Sequence, residues 1–103
     1  MLDREFFLGF IKIHILYHAS KGPISGVEIA EELTRHGYRM GPGTLYPTLH
    51  RLEEEGYVEQ NSKVVGGKMR KYYSITRQGL EALAQARKKI KELVTEVVEE
   101  REE

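Results

Sequence analysis

Two histidines four residues apart, His14 and His18, stand on one face of any helix that contains them, and that spacing can clamp a metal ion. No nearby acid completes a ligand set, and the chain has no cysteine. Core or interface histidines are therefore expected, with no metal and no cofactor. The densest carboxylate run is Glu53, Glu54 and Glu55, but consecutive helical residues point in different directions, so it reads as a solvated face rather than an acid–base pair. Ser20, Ser25, Ser62 and Ser74 lie in no nucleophile-elbow context, and nothing forms a phosphate-cradling loop. With no catalytic constellation, an enzyme is not expected.

Binding chemistry is better represented. Thr44, Tyr46, Pro47, His50 and Arg51 offer hydroxyls, apolar ring surface and cationic or imidazole groups, which suit phosphates, base edges and thymine methyls. Either His50 or Arg51 could be the outward-pointing reader. Between Gln60 and Gly79 the charged residues are Lys63, Lys68, Arg70, Lys71 and Arg77, with no acid among them. Such cations can blunt exposed sheet edges. They can equally lie along phosphates or in a minor groove, releasing counterions.

These residues need elements to hold them. Leu45, Leu49 and Leu52 recur at i, i+4 and i+7, so a helix over this stretch has one core stripe, with Tyr46, Thr48, His50 and Arg51 elsewhere around it. Pro42 suits the first turn and Gly56 a C-cap, while Pro47 deletes at most one ladder bond. Upstream, Asp3 to Glu5 reads as a helix start, and Phe6, Phe10, Ile13 and Tyr17 follow one stripe that Phe7, Ile11 and Ile15 broaden. A helix so widely apolar is either the central core helix or meets a partner on one side. Ser25 and Glu28 form a capping box for a second helix ending near His36 and Gly37, with Val27, Ile29, Ala30 and Leu33 inward and Glu31, Glu32 and Arg35 in water. Two helices joined by Gly37 to Pro42 make a helix-turn-helix arrangement.

After Gly56, Tyr57 to Val65 and Lys68 to Ile75 are β-rich and divided by Gly66-Gly67, a hairpin signal. With those glycines as the loop, Val58, Val64, Met69, Tyr73 and Ile75 share one face and Lys63, Lys68 and Arg70 the other; a one-residue slip inverts this. Thr76 then caps a helix running to about Glu99, with the acidic end from Glu96 to Glu103 expected to fray. Leu80, Leu83, Ile90, Val94 and Val97 recur close to every 3.5 residues, and Leu93 widens the stripe. A terminal helix of this length cannot cover its stripe on so small a domain and calls for a second copy. Phe6, Phe10, Leu83, Ile90, Leu93, Val94 and Val97 form the expected dimer interface.

The 103 residues fit one domain, 40% hydrophobic and 31% charged, with a formal net charge of +0. Balanced charge excludes a basic coat, so any nucleic-acid site is a local patch. Absence of cysteine excludes disulfides and thiol catalysis and fits a reducing cytoplasm. The longest apolar run, Phe6 to Tyr17, contains Lys12 and His14 and is too short to span a bilayer, and no signal-peptide pattern precedes it. A cytoplasmic protein with no membrane partner is expected.

The run Gly43-Thr-Leu-Tyr-Pro-Thr-Leu-His-Arg-Leu-Glu-Glu-Glu-Gly-Tyr-Val58, followed by Gly67-Lys-Met-Arg-Lys-Tyr-Tyr-Ser-Ile-Thr76 and Gly79, resembles the PadR family of winged-helix transcription regulators. The resemblance extends from about Phe7 through the C-terminal helix. It implies a mainly α fold with a small β-hairpin (α+β): a winged helix-turn-helix over residues 1–76 and a dimerisation helix over 77–103, forming one compact unit. It further implies that the first run is a DNA-recognition helix and the second the return strand of a wing. The expected function is then a homodimeric regulator, in this family most often a repressor, on double-stranded DNA with inverted half-sites. Some members respond to a small-molecule effector. Multidrug-binding relatives use interface tryptophans, and this chain has none; a pocket lined by Phe6, Phe10 and the inner face of residues 83–97 is where an effector would fit. The alternative is a winged-helix protein-interaction module without a DNA role, which the neutral net charge keeps open.

Overall fold

The computed structural model describes residues 4–101. In chain order these form α1 (Arg4–Ser20), a short strand β1 (Ile24–Ser25), α2 (Gly26–Arg35), α3 (Pro42–Glu54), the hairpin β2 (Val58–Val65) and β3 (Lys68–Ile75), and α4 (Arg77–Leu93), which continues through a wider π-helical turn, Val94–Val98. The expected helix start at Asp3 and the last acids, Glu102 and Glu103, lie outside the described residues. The architecture is the expected α+β winged helix-turn-helix with a trailing helix.

Local sequence explains the helix ends. Ser25 Oγ accepts from the Glu28 amide at 3.1 Å while the Ser25 amide donates to Glu28 Oε1 at 2.9 Å, closing the capping box. Hydrogen bonding to the carboxylate by the Ser25 amide, and secondarily by the Ser25 hydroxyl, favours its ionised form and holds the Glu28 pKa below its ordinary value. Ser25→Ala should lower stability by about 1 kcal/mol in urea unfolding. A carboxyl depressed on folding contributes above its unfolded-state pKa and loses that contribution as pH falls through the folded value. The Ser25 amide survives in Ser25→Ala, so it is the gap between wild type and Glu28→Gln that should narrow in acid.

Helices α2 and α3 both end in a Schellman turn. The Tyr38 amide reaches Leu33 O at 2.9 Å and the Gly37 amide Thr34 O at 2.9 Å; the Tyr57 and Gly56 amides repeat this on Leu52 O and Glu53 O at 2.9 and 3.0 Å.

The hairpin has the expected register, Val64 opposite Met69 and Val58 opposite Ile75. Gly66 (φ 57°) and Gly67 (φ 79°) supply the two successive positive φ values of a type I′ turn, whose twist matches the strands. Val58 and Tyr73 are buried at the base, whereas Val64 and Met69 are each 68% exposed near the tip, so the wing projects. By alternation Lys71 falls on the face of Met69 and Tyr73, opposite Lys63, Lys68 and Arg70. On the other edge of β3, Ile24 pairs with Tyr73 and Ser25 with Tyr72, giving the sheet order β1-β3-β2. Two residues are too few to show a strand periodicity, and this strand was not expected.

Beneath the sheet and helices lies one core: Ile11, Ile15, Leu16 and Ala19 of α1, Ile29 and Leu33 of α2, Leu45, Leu49 and Leu52 of α3, with Val58, Tyr73 and Leu83. Each buried leucine of α3 contributes about 2 kcal/mol by leaving water. That anchoring fixes the helix and hence its opposite face.

Three placements correct the sequence reading. Val27, expected inward, is exposed, because it lies two residues from Ile29 and so about 200° around the helix. Thr48, expected outward, is buried, being three residues after Leu45 and four before Leu52; its hydroxyl donates to Thr44 O at 2.8 Å. Glu32 is half-buried rather than in open water, set between His18 and Arg35.

Candidate nucleic-acid interface

With Leu45, Thr48, Leu49 and Leu52 turned inward, α3 presents Gly43, Tyr46, Pro47, His50 and Arg51 to solvent, and Thr44 is half-buried. The helix begins at Gly41 with no side-chain cap and with Pro42 in its first turn, so its positive end is left open. Pro47 has no amide to give to Gly43 O, which costs one ladder bond at the exposed end. From Tyr38 to Leu52 the sequence carries no acid. The acids begin at Glu53, and His50 leans toward them, its ring nitrogens 3.9 Å from Glu53 and 3.6 Å from Glu54; these become ion pairs only with a protonated imidazole. Arg51 instead turns toward α1, where it and Lys12 rim a groove of about 280 Å³.

Tyr46 joins α3 to the rest of this surface. A Cβ at position 26 would sit 2.8 Å from Tyr46 Cε1, so glycine at the first residue of α2 lets the two helices approach. Tyr46, Ser25, Gly26, Val27, Met69, Arg70 and Lys71 surround a groove of about 340 Å³ that runs from the start of α2 across α3 to the wing. Arg70 is close enough to the start of α2 that its charge is among the influences lowering the Glu28 pKa. Beneath, Tyr73 carries a raised pKa, chiefly from burial and then from Glu53 and Tyr46. Lys63 sits across the ladder from Arg70, its ammonium 5.4 Å from the Tyr72 ring centroid, and Lys68 stands nearer the hairpin tip. The structure thus brings Tyr46, Arg70 and Lys71 to one groove, with Lys63 and Lys68 on its projecting arm.

A joint ties this surface to α4. Thr76 Oγ1 accepts from the Gly79 amide at 3.0 Å and donates to Gly56 O, while Gln78 Nε2 donates to Glu55 O at 3.2 Å. The two carbonyls that follow α3, those of Glu55 and Gly56, are therefore satisfied from the start of α4. Gly79 leaves no room for a side chain: a Cβ there would be 2.1 Å from Tyr57 O.

On the far side, Phe6, Phe10, Ile90, Leu93, Val94 and Val97 are exposed, as are Tyr17 and Leu80. Leu83 departs from the expected interface set: it is 2% exposed, packed into its own chain's core. Between α1 and α4 lies a largely apolar groove of about 430 Å³, into which Phe10, Tyr17, Leu83 and Ile90 project. His14 and His18 also line it, and His36, which the sequence spacing did not single out, joins them there. No described helix is long and apolar enough to cross a membrane.

A helix-turn-helix, a two-stranded wing and a long trailing helix define a winged-helix protein. Residues 15–85 match the transcriptional regulator PadR-like family. Over 95 residues the chain is 45% identical to the transcriptional regulator Rv3488 of Mycobacterium tuberculosis, covering 92% of this chain and 89% of that one. Its structure is similar to the PadR-like regulator BC4206 of Bacillus cereus, with a TM-score of 0.83, 32% identity, and 92% and 94% of the two chains covered. It is also similar to Bacillus subtilis PadR, crystallised with operator DNA, with a TM-score of 0.67, 26% identity, 74% of this chain and 45% of that longer chain. The protein belongs to the PadR-like family of transcriptional regulators.

Proposed function

We propose that this protein is a cytoplasmic, sequence-specific repressor that binds an inverted-repeat operator as a homodimer, inserting one α3 from each copy into the major groove while the wing lies along the backbone. The observation that carries this reading is the cationic outer wing, with Lys63, Lys68, Arg70 and Lys71 and no acid from Gln60 to Ile75, set against the exposed, acid-free first turns of α3. Thr44, Tyr46, Pro47 and His50 contact bases or their flanking phosphates, and Arg51 with Lys12 contacts backbone. That the structural neighbour Bacillus subtilis PadR was crystallised with operator DNA supports a DNA-binding role. The exposed apolar residues of α1 and α4 pair the subunits, with Leu83 as the floor beneath them, and set the two α3 helices about 34 Å apart or a multiple of it. A small effector would enter the groove between α1 and α4.

A salt titration of duplex binding tests this. The logarithm of the affinity should fall steeply with the logarithm of salt, by about 0.9 for each phosphate neutralised. Lys68→Ala with Arg70→Ala should weaken binding to all sequences alike and reduce that slope by about 1.8. An unchanged slope would remove the wing from the interface, and undetectable duplex binding at low salt would favour a protein-interaction module.

A further inference from the structure

Three imidazoles from two helices converge at one end of the groove between α1 and α4. His14 and His18 occupy successive turns of α1; His36 arrives from the C-cap of α2, held there by its amide bonding back to Glu32 O and Leu33 O. One ring nitrogen from each lies within 4.8 Å of the others. The rings of His14 and His36 stack at 4.6 Å, and those of His14 and His18 at 6.4 Å. Glu32 Oε2 is 3.8 Å from His18 Nε2, and Phe10, Ile13, Tyr17 and Leu83 line the groove alongside.

The rings also meet aromatic neighbours edge-on, His14 against Tyr38 at 5.5 Å and His18 against Tyr17 at 5.1 Å. Protonating any one ring would put positive charge beside two others. Three neutral imidazoles instead present lone pairs, the form in which histidine binds metals. Tetrahedral coordination at a metal–nitrogen distance of about 2.1 Å sets the nitrogens about 3.4 Å apart, so side-chain rotation alone can close the set.

We propose that His14, His18 and His36 bind a divalent transition-metal ion of the zinc class, with Glu32 as the fourth ligand or as the carboxylate that orients His18. The donor chemistry selects the ion. Imidazole suits zinc, copper, nickel and cobalt, whereas calcium and magnesium need more oxygen ligands than the site offers. The apolar side chains of the groove shield one flank of the site, with Arg87 also in its lining. Because the ligands lie on α1 and on the end of α2, the ion pins the first helix of the helix-turn-helix to the helix that borders α4. On the DNA-binding reading, on which this consequence alone rests, the ion is an effector that sets the spacing of the two α3 helices.

Titration of metal-stripped protein with Zn2+, followed by calorimetry and by thermal unfolding, tests the site. Wild type should bind one ion per chain and unfold at a higher temperature when loaded. His36→Gln, whose side chain is exposed, and His18→Gln should each bind at least about 100-fold more weakly and lose the temperature shift. Co2+ in place of Zn2+ should give the intense visible absorption of a tetrahedral centre in wild type only. Wild-type binding no tighter than that of His36→Gln, or a Co2+ spectrum unchanged by that substitution, would overturn the proposal. Circular dichroism of each variant confirms that the fold persists, and because ion binding is read without DNA, its failure is distinguishable from failure of the DNA-binding reading.

Discussion

Leu93→Glu should sediment as a monomer and lose operator affinity by about 100-fold or more. Leu93 is 52% exposed on the outer face of α4, between Ile90 and Val97. In a dimer through this face the glutamate is buried without a partner, a loss of several kcal/mol that the interface must absorb. In the monomer it stays in water, so the chain still folds. The effect on DNA follows from multivalency: once one α3 is seated the second binds at high effective concentration, and breaking the tether forfeits about 10²–10⁴ in affinity. Sedimentation velocity measures the first effect and fluorescence anisotropy on an inverted-repeat duplex the second. A dimer persisting in Leu93→Glu would place the subunit contact elsewhere.

Gly79→Ala should cost about 3 kcal/mol and lower the unfolding temperature by about 12 °C or more. Its Cβ would stand 2.1 Å from Tyr57 O and 2.6 Å from Ile75 Cγ1, and the first of these belongs to backbone that cannot rotate away. Relieving the contact pushes the start of α4 off the end of α3 and breaks the bonds from Thr76 and Gln78 to Gly56 O and Glu55 O. Those bonds set the angle between α3 and α4, so the variant at temperatures where it remains folded should also bind operator more weakly. Differential scanning calorimetry reads the stability; a loss below about 1 kcal/mol would mean that the close approach is absent.

These two positions show what could be read before folding and what could not. Leu93 was legible as a residue widening the apolar stripe of Leu80, Leu83, Ile90, Val94 and Val97. Gly79 appeared in the sequence only as a member of a family motif, with no visible task, because its reason is a carbonyl 22 residues earlier in the chain. Ser25 with Glu28, the Gly37 and Gly56 stops and the Gly66-Gly67 turn were likewise legible, since each bond they make spans a few residues. Val27 and Thr48 were misplaced on their helices because counting apolar residues gave Val27 too much weight and Thr48 too little, where only angular position decides burial.

By itself, then, the sequence determined the helices, the hairpin and its register, the cationic composition of the wing and the apolar outer faces of α1 and α4. Local hydrogen bonding and side-chain periodicity suffice for all of these. Tertiary structure alone decided that β1 closes the sheet, that Tyr46 packs over Gly26 and shares a groove with Arg70, that Leu83 belongs to its own chain's core, and that His36 joins His14 and His18. Such pairings depend on where separate helices cross, a matter of core packing over distances in the chain that no local pattern records.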